Sequence, residues 1–427
     1  MTTTSVAPLL SPLDEDLLRI ETRARPMHWC FLIRLRADAT HRVDLAELRE
    51  RVVARSAARE LFSLTVTRNR FRSPRIGTDP HEIDPAPMVR HDTVSGDAQL
   101  RLRLASMMAR FEPTDRLWEI TLIDELASGQ QYLVVRVHHC LGDGLSASGF
   151  AYLFVDGSQD DLAQFDRYLV SPRFALPPLH RTVRLGAWRH LAHTWADGRR
   201  GRRPSLPRPT RTRLVHYLAL PAAAVNLAAR SYHATQTEFL LASVTAALRT
   251  VLAGQDVTTV RTMIPMTLDP ALRHTGNAMA FALVNLPLTA PSFEDILADI
   301  RRQVTDIARE RPHYALPTLT QQARGPWLYK TWAARAIMTA VRPDLDVGLT
   351  PVHLSIDSVL GVDVDAVFPF SPLVYTPISI AALLLGGNLT VGLTADAAAI
   401  GALGEALADD LASRLTQQSA NMSPVSP

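Results

Sequence analysis

The chain has 427 residues, of which 47% are hydrophobic and 20% charged, and its formal net charge is only +3. A chain of this length buries a large core and predicts about two domains. A net charge this small excludes a dedicated nucleic-acid binder, so we expect no nucleic-acid partner.

The cysteine content and the N-terminus indicate the compartment. The two cysteines, Cys30 and Cys140, are too few for a disulfide framework or a cysteine-based zinc site, so we expect no metal centre. The early acidic residues Asp14, Glu15 and Asp16 argue against a signal peptide. No apolar stretch reaches the roughly 18–20 residues that span a bilayer. We therefore expect a soluble, cytoplasmic protein, at most peripheral to a membrane.

Helices and strands alternate in the N-terminal half. A cap at Asp44 begins an amphipathic helix, and the β-rich runs 118–126 and 131–139 are joined by a short polar loop, which predicts an antiparallel hairpin. The remaining pattern predicts a strand over 61–68 and helices over 99–111 and 145–155.

Residues 176–213 differ in composition from both flanks. They contain five prolines, and seven arginines lie between Arg199 and Arg213 with no acidic residue among them. This composition predicts a crossover linker over the surface. A solvated charged loop is the first interpretation, and a docking surface for anionic lipid or a phosphorylated cofactor is the alternative.

The second half repeats the mixed pattern. It predicts strands over 213–220, 258–265, 278–288, 352–360, 378–385 and 389–394, and helices over 237–252, 292–311 and 398–415. The predicted organisation is thus an N-terminal subdomain (1–175), the linker (176–213), a C-terminal subdomain (214–416) and a disordered tail (417–427). A cleft between two such halves is a common place for a substrate site.

Two adjacent histidines end the second strand of the hairpin. Because side chains alternate along a strand, His139 shares an apolar face with Val135 and Val137, whereas His138 lies beside Arg136. A buried imidazole stays neutral and can take a proton from a hydroxyl or a thiol. His139 is therefore the candidate general base, and two core histidines without a chemical role are the alternative.

Asp143 and Gly144 follow just before the helix predicted from Leu145. Asp143 either caps that helix or forms a buried pair with an arginine that holds the loop in shape, and both interpretations make it a support for His139. Gly144 permits a tight turn or a close approach of the backbone to a ligand. The Cys140 side chain should point to the opposite face, which argues against a cysteine nucleophile.

These residues resemble a known signature. The segment His138-His139-Cys140-Leu141-Gly142-Asp143-Gly144 is similar to the His-His-x-x-x-Asp-Gly motif of the coenzyme A-dependent acyltransferase superfamily, which includes chloramphenicol acetyltransferase-like enzymes and condensation domains. Within it, the chain resembles the bacterial wax ester synthase/diacylglycerol acyltransferase family. The elements that carry this likeness are Ser11-Pro12-Leu13-Asp14, Glu21-Thr22, Pro26-Met27-His28, Leu117-Trp118, Pro265, Gly276-Asn277, Leu286-Pro287, Ser371-Pro372-Leu373, Gly392-Leu393 and Asp396.

The resemblance implies a mixed α/β fold of two chloramphenicol acetyltransferase-like subdomains with a substrate tunnel between them. It implies that His139 deprotonates an acceptor hydroxyl, that Asp143 is structural and that His138 is secondary. The expected reaction moves an acyl group from acyl-coenzyme A directly to the hydroxyl and forms an ester. Acyl-coenzyme A is then a co-substrate, and no bound cofactor is expected.

The sequence departs from the family pattern near the implied channel. The family's Asn-Asp pair at the start of the long second-half helix is Thr237-Glu238 here, and its Asn-Val-Pro element is Ser358-Val359-Leu360. The Asp-Gly pair after Ser-Pro-Leu is replaced near Tyr375-Thr376-Pro377, and the proline of a Pro-Leu-Trp element by Arg116. The oxyanion donor is therefore open between the Thr237 hydroxyl and a backbone amide, and we expect a specialised acceptor.

Two further functions stay open. A carrier-protein thioester is the alternative acyl donor, and the arginines between Arg199 and Arg213 would suit an acidic carrier. A non-catalytic lipid-binding or metabolite-binding protein on the same fold is the alternative in another functional class.

Overall fold

The computed structural model describes residues 11–36, 41–67, 74–78, 86–111, 117–169, 181–205, 210–268, 276–322, 326–400 and 403–420. These residues form a mixed α/β fold in which two six-stranded sheets carry flanking helices. The predicted fold class is thereby confirmed. None of the described helices combines the length and the apolarity needed to cross a bilayer.

The strands are, in chain order, β1 (His28–Leu35), β2 (Leu64–Thr67), β3 (Arg75–Thr78), β4 (Val89–Val94), β5 (Trp118–Glu125), β6 (Gln131–His138), β7 (Arg213–Pro221), β8 (Thr259–Thr267), β9 (Met279–Pro287), β10 (Leu345–Pro351), β11 (Ser358–Val359), β12 (Val362–Phe370), β13 (Ile378–Leu385) and β14 (Asn388–Asp396). Short 3₁₀ helices lie at Glu60–Ser63, Ala86–Met88, His139–Leu141, Ser146–Leu153 and Pro312–Tyr314.

The α-helices are α1 (Pro12–Ile20), α2 (Leu45–Ser56), α3 (Asp97–Ala109), α4 (Gln159–Ala163), α5 (Arg181–Arg200), α6 (Ala222–Ser231), α7 (Gln236–Val251), α8 (Phe293–Glu310), α9 (Ala315–Gln322), α10 (Trp327–Val341), α11 (Ala397–Ile400) and α12 (Leu403–Ala420).

The first sheet determines where the two adjacent histidines lie. Its strand order is β11-β12-β1-β6-β5-β4, and β5 and β6 form the antiparallel pair that the sequence predicted. In the antiparallel pairing of β1 with β6, His28 lies opposite His138. Strand β12 belongs to the sequence's second half but pairs with β1. The first sheet therefore draws on both predicted subdomains.

The second sheet has the order β7-β14-β13-β10-β8-β9. Strand β10 lies at its centre and runs parallel to both β13 and β8. Helix α7 is apolar along almost its whole length and is buried from Glu238 to Leu248, because it packs between the sheet and the helices α8 and α12. Each sheet has its own main apolar core.

The predicted linker is wrong for its central part, because residues Arg181–Arg200 form the helix α5. Its buried residues Ala187 and Leu191 pack with Leu283 of β9 in a small core. At Gly198, a Cβ atom would lie 2.5 Å from Asn285 Oδ1, so the helix needs glycine for this close approach. Of the prolines that suggested a linker, Pro204 lies among the described residues and the others lie outside them.

Ion pairs in the fold neutralise part of the positive charge that the sequence shows between Arg199 and Arg213. Acidic residues from elsewhere in the chain, or one turn earlier, face its arginines in the pairs Arg200–Asp197 (2.8 Å), Arg202–Asp256 (2.6 Å), Arg203–Asp344 (2.7 Å) and Arg213–Asp396 (3.1 Å). These ion pairs leave less free positive charge for an acidic or anionic partner than the local sequence indicates.

Two other predictions are corrected. Residues 352–360 do not form one strand, because β10 ends at Pro351 and the two-residue β11 begins only at Ser358. The C-terminal helix α12 continues to Ala420, so residues 417–420 are helical and not part of a disordered tail. Residues 421–427 lie outside the described residues.

Gly392 lies at the contact between the two sheets, and a substitution there tests how tight that contact is. A Cβ atom on Gly392 of β14 would lie 1.8 Å from the carbonyl oxygen of Pro369 in β12. We expect Gly392→Ala to lower the free energy of unfolding by about 1–3 kcal/mol or more, through overpacking. Urea unfolding measures this change.

The matched control is Gly404→Ala in α12, where the nearest atom to the new Cβ would be Ile400 Cγ2 at 3.6 Å. There, alanine should change the free energy of unfolding by no more than about 0.5 kcal/mol, because Gly404 is the second residue of α12 and the new Cβ would make only ordinary van der Waals contacts. A Gly392→Ala variant as stable as the wild type would contradict the tight contact of the sheets.

Candidate active site

His139 lies immediately after β6, at the start of a 3₁₀ turn and not within the strand. Its backbone N–H donates to the carbonyl oxygen of Met27 at 2.7 Å, which continues the pairing with the chain before β1. The imidazole packs against the Trp29 indole with ring centroids 5.2 Å apart. The chain thus turns away from the sheet at the point where the candidate base leaves it.

Burial dominates the protonation of His139 and lowers its pKa to about 4. Hydrogen bonding to its own carbonyl oxygen and to Asn277 raises the pKa, while the neighbouring His138 lowers it further, and these effects are smaller than burial. The ring is therefore neutral at pH 7, which is the state that can accept a proton. The sequence-based expectation of a neutral imidazole in an apolar setting agrees with this geometry.

His138 lies on the other side of the loop in a buried cluster with Glu21 and His28. The Cys140 N–H donates to His138 Nδ1 at 3.0 Å, so the ring proton belongs on Nε2, which faces Glu21 Oε2 at 3.2 Å. Glu21 Oε1 in turn accepts from the Met27 N–H at 3.0 Å. His138 is thereby held in one tautomer and positions the loop.

This cluster is also a possible donor set for a metal ion, since donor atoms of Glu21, His28 and His138 lie within 4.8 Å of one another. A metal on His138 Nε2 would require that nitrogen without its proton. The backbone donor at Nδ1 disfavours that tautomer. The arrangement therefore favours a hydrogen-bonded cluster over a metal centre.

Asp143 is fully buried and accepts four hydrogen bonds. Its Oδ1 accepts from the backbone of Leu145 (3.1 Å) and from the backbone (3.0 Å) and hydroxyl (3.1 Å) of Ser146, and its Oδ2 accepts from the Ala278 N–H at 3.2 Å. Asp143 therefore accepts from backbone donors just after it, as a cap does, but the segment that follows is a 3₁₀ helix that begins at Ser146 and not the helix predicted from Leu145. The alternative of an arginine partner is wrong within the described residues, because these four donors are all neutral. Burial raises the pKa of Asp143 to about 6, against the effect of its hydrogen bonds.

Asn277 connects the loop to the N-terminal helix. Its Nδ2 donates to the carbonyl oxygen of His139 and to Asp14 Oδ1, both at 2.6 Å. Asp14 caps α1 together with Ser11, and burial raises the pKa of Asp14 to about 7. Three separate parts of the chain therefore meet at the backbone of the candidate base.

Gly144 is required for the packing of this loop. A Cβ atom there would lie 3.1 Å from the Trp29 ring. The sequence predicted a tight turn or a close approach of the backbone to a ligand, whereas the close approach in the structure is made to the indole that packs against His139.

A cavity of about 1320 Å³, including its open mouth, lies next to His139 at the junction of the sheets. Its wall combines residues near the first sheet, such as Trp29, with residues from α1, α9, α10 and the second sheet. Most lining side chains are apolar. The polar ones are Asp16, His139, Asn277, Asp346, Thr350 and Ser371.

Two of the departures from the family pattern, Thr237-Glu238 and Ser358-Val359-Leu360, are not part of the lining of this cavity. Thr237 is exposed on the first turn of α7 and lies outside the cavity lining, so its hydroxyl is a poor candidate for the oxyanion donor. Ser358 donates to Asp156 at 2.8 Å, and the Tyr375 ring lies under the guanidinium of Arg25. Arg116 lies outside the described residues.

Several residues at the site had no assigned role in the sequence analysis. Ser11, Asp14, Glu21, His28 and Asn277 belong to segments that carried the family resemblance, and that resemblance was the signal that could have found them. Trp29 and Asp346 had no such signal, since their position beside the cavity depends on the pairing of distant strands.

The fold and this loop define a class: two-lobed acyl-transferring and condensation folds with a His-His-x-x-x-Asp-Gly loop at the junction. The family model described as the wax ester synthase/diacylglycerol acyltransferase catalytic domain matches residues 10–248, which is more than half of the chain. The chain belongs to this family. No curated protein matches it significantly in sequence.

Solved structures similar to the chain show the same fold. The wax ester synthase/diacylglycerol acyltransferase from Marinobacter aquaeolei VT8 is 19% identical with a TM-score of 0.66, over 97% of this chain and 99% of that one. Trichothecene 15-O-acetyltransferase from Fusarium sporotrichioides is 12% identical with a TM-score of 0.68, over 95% and 94%. The first condensation domain of the CDA synthetase is 18% identical with a TM-score of 0.59, over 98% of both chains.

The low pKa of His139 predicts the pH dependence of any reaction that uses it as a base. Protonation inactivates a base, so kcat/KM should fall only as the pH approaches about 4, well below the value of about 6.5 for an ordinary histidine. A pH profile of kcat/KM, with an NMR titration of the His139 ring over the same range, measures this. Titration of the ring near 6.5 would contradict the effect of burial.

Proposed function

We propose that the protein is an acyl-coenzyme A-dependent O-acyltransferase in which His139 is the general base. The observation that carries this proposal is a neutral imidazole at the wall of a large apolar cavity, held through its carbonyl oxygen by Asn277 and packed against Trp29. Membership of the family supports acyl transfer in general.

In the proposed reaction, the acceptor hydroxyl gives its proton to the neutral ring of His139 while its oxygen attacks the thioester carbonyl carbon. The tetrahedral intermediate then collapses, the carbon–sulfur bond breaks, and the coenzyme A sulfur takes the proton back from His139. No acyl-enzyme forms, because the base activates the acceptor itself. Cys140 supports this route, since it is buried in the apolar core of the first sheet.

In this proposal, the role of Asp143 and Asn277 is to hold His139 in position. Asp143 fixes the turn that follows His139 through backbone and hydroxyl donors, and Asn277 fixes the carbonyl of His139 itself. Holding a base within reach of its proton is a large part of general-base catalysis.

We assign Trp29 as the donor to the oxyanion. Its indole Nε1–H is buried and donates to no acceptor among the described residues, and its ring borders both His139 and the cavity. A buried donor without an acceptor costs free energy. A negative oxygen that forms only in the transition state would recover that cost at the step where it accelerates the reaction.

His139→Ala tests the base. With a panel of acyl-coenzyme A thioesters and alcohols, we expect release of free thiol to fall by about 10²–10⁴-fold, the usual contribution of a general base. The matched control is His193→Ala, which removes an exposed histidine on α5 and should leave turnover unchanged.

Undiminished turnover in His139→Ala would refute this role. Transfer from a carrier-bound thioester but not from coenzyme A thioesters would identify the condensation-type donor. Lipid binding without product from either donor would support the non-catalytic alternative.

Trp29→Phe tests the oxyanion donor, because it keeps an aromatic ring and removes the N–H. We expect kcat to fall by about 10²–10³-fold with little change in KM, the pattern of an interaction made only in the transition state. A rise in KM at constant kcat would instead show that the indole only shapes the cavity.

A further inference from the structure

The cavity contains one carboxyl group that the proposed mechanism does not use. Asp346 lies on β10 at the centre of the second sheet, and its neighbours in register are Ser379 of β13 and Met263 of β8. Ser379 Oγ donates to Asp346 Oδ2 at 3.1 Å. The carboxyl lines the cavity that also contains His139.

The surroundings of Asp346 are unusual for an aspartate. Its near neighbour Asp344 pairs with Arg203 at 2.7 Å, whereas within the described part of the chain no cation forms an ion pair with Asp346. The lining around it is mainly apolar and includes Met263, Pro265 and Ile380. A carboxyl group in such a place is costly unless something else binds it.

The protonation of Asp346 fits a role in binding. Burial raises its pKa to about 7, although the hydroxyls of Ser379 and Ser371 oppose this effect. Near neutral pH the group can therefore donate a hydrogen bond as an acid or accept one as a carboxylate. Both forms suit a hydroxyl, and the carboxylate also suits an ammonium group.

A plain hydrocarbon acyl chain or a simple alkanol offers this carboxyl no partner beyond the reacting group. A cavity that served only such molecules would be better lined by an apolar residue. An acceptor with a second polar group, separated from the reacting hydroxyl by apolar carbons, would satisfy both His139 and Asp346.

We propose that Asp346 binds a second hydroxyl or amino group of the acyl acceptor, so that the cavity selects bifunctional acceptors such as diols and amino alcohols. This inference rests on the proposed acyl transfer to a hydroxyl. It adds the substrate class and the residue that recognises it.

The test compares 1-alkanols with α,ω-diols and amino alcohols of matched chain length as acceptors for one acyl-coenzyme A. For the wild type we expect kcat/KM of the best bifunctional acceptor to exceed that of its alkanol by about tenfold or more, the usual effect of a hydrogen bond to a charged group. Asp346→Leu should abolish that preference while alkanols still react.

Two further variants separate recognition from a structural effect. Asp346→Asn keeps the shape of the side chain and a neutral hydrogen bond, so it should lose the preference for amino alcohols and keep part of that for diols. Thr350→Val removes a polar group from the same strand and the same cavity and should keep both preferences. Circular dichroism confirms that each variant is folded.

Calorimetric titration of the same acceptors, without an acyl donor, makes the test independent of turnover. If the wild type binds diols more tightly than alkanols and Asp346→Leu does not, the inference about Asp346 is supported even when no ester forms. In that case only the proposed acyl transfer fails. Equal use and equal binding of alkanols and bifunctional acceptors would overturn the inference. The inference would also be overturned if Asp346→Asn or Asp346→Leu changed only the KM for the acyl donor.

Discussion

The geometry of the site depends on the attachment of the His139 loop to residues 276–278. Asn277 donates to the His139 carbonyl oxygen, Asp143 accepts from the Ala278 N–H, and the Asp143 N–H donates to the Gly276 carbonyl oxygen at 3.3 Å. The loop thus begins at the end of the first sheet but takes its shape from the chain that enters the second. The position of the candidate base is therefore only as well defined as the contact between the two sheets.

The same attachment explains how His139 stays neutral next to acidic residues. A carboxylate close to an imidazole normally raises its pKa, yet Asp143 directs its oxygens to N–H and O–H donors and Asp14 directs one of its oxygens to Asn277. Both carboxyls are held by neutral partners and have raised pKa values themselves. Burial is then the largest influence on the ring, and it favours the uncharged base.

Local patterns predicted the elements whose partners are near in sequence. The hairpin of β5 and β6, the helices α3, α7 and α8 and the cap at Asp143 all follow from periodicity and capping rules within a few residues. The pairing of β12 with β1 and the bond from Ala278 to Asp143 join residues far apart in sequence, which no local pattern reveals. Helix α5 was missed because the prolines and the arginines between Arg199 and Arg213 suggested a linker over the surface. The acidic partners of Arg202, Arg203 and Arg213 lie elsewhere in the chain, where no local pattern shows them.

In the proposed function, the reaction and the recognition of the acceptor depend on different parts of the fold. The base, its carbonyl anchor and the Trp29 ring lie where the ends of β1 and β6 meet residues 276–278, and the hydrogen bonds there leave little room for substitution. Other parts of the cavity wall come from α9, α10 and the strands β10 and β13. Asp346, on this part of the wall, is hydrogen-bonded to Ser379 of β13. Under the proposed function, a change in this part of the wall would therefore alter the choice of acceptor and leave the loop intact. The departure at Thr237 need not affect the chemistry, because that residue is exposed and outside the cavity lining.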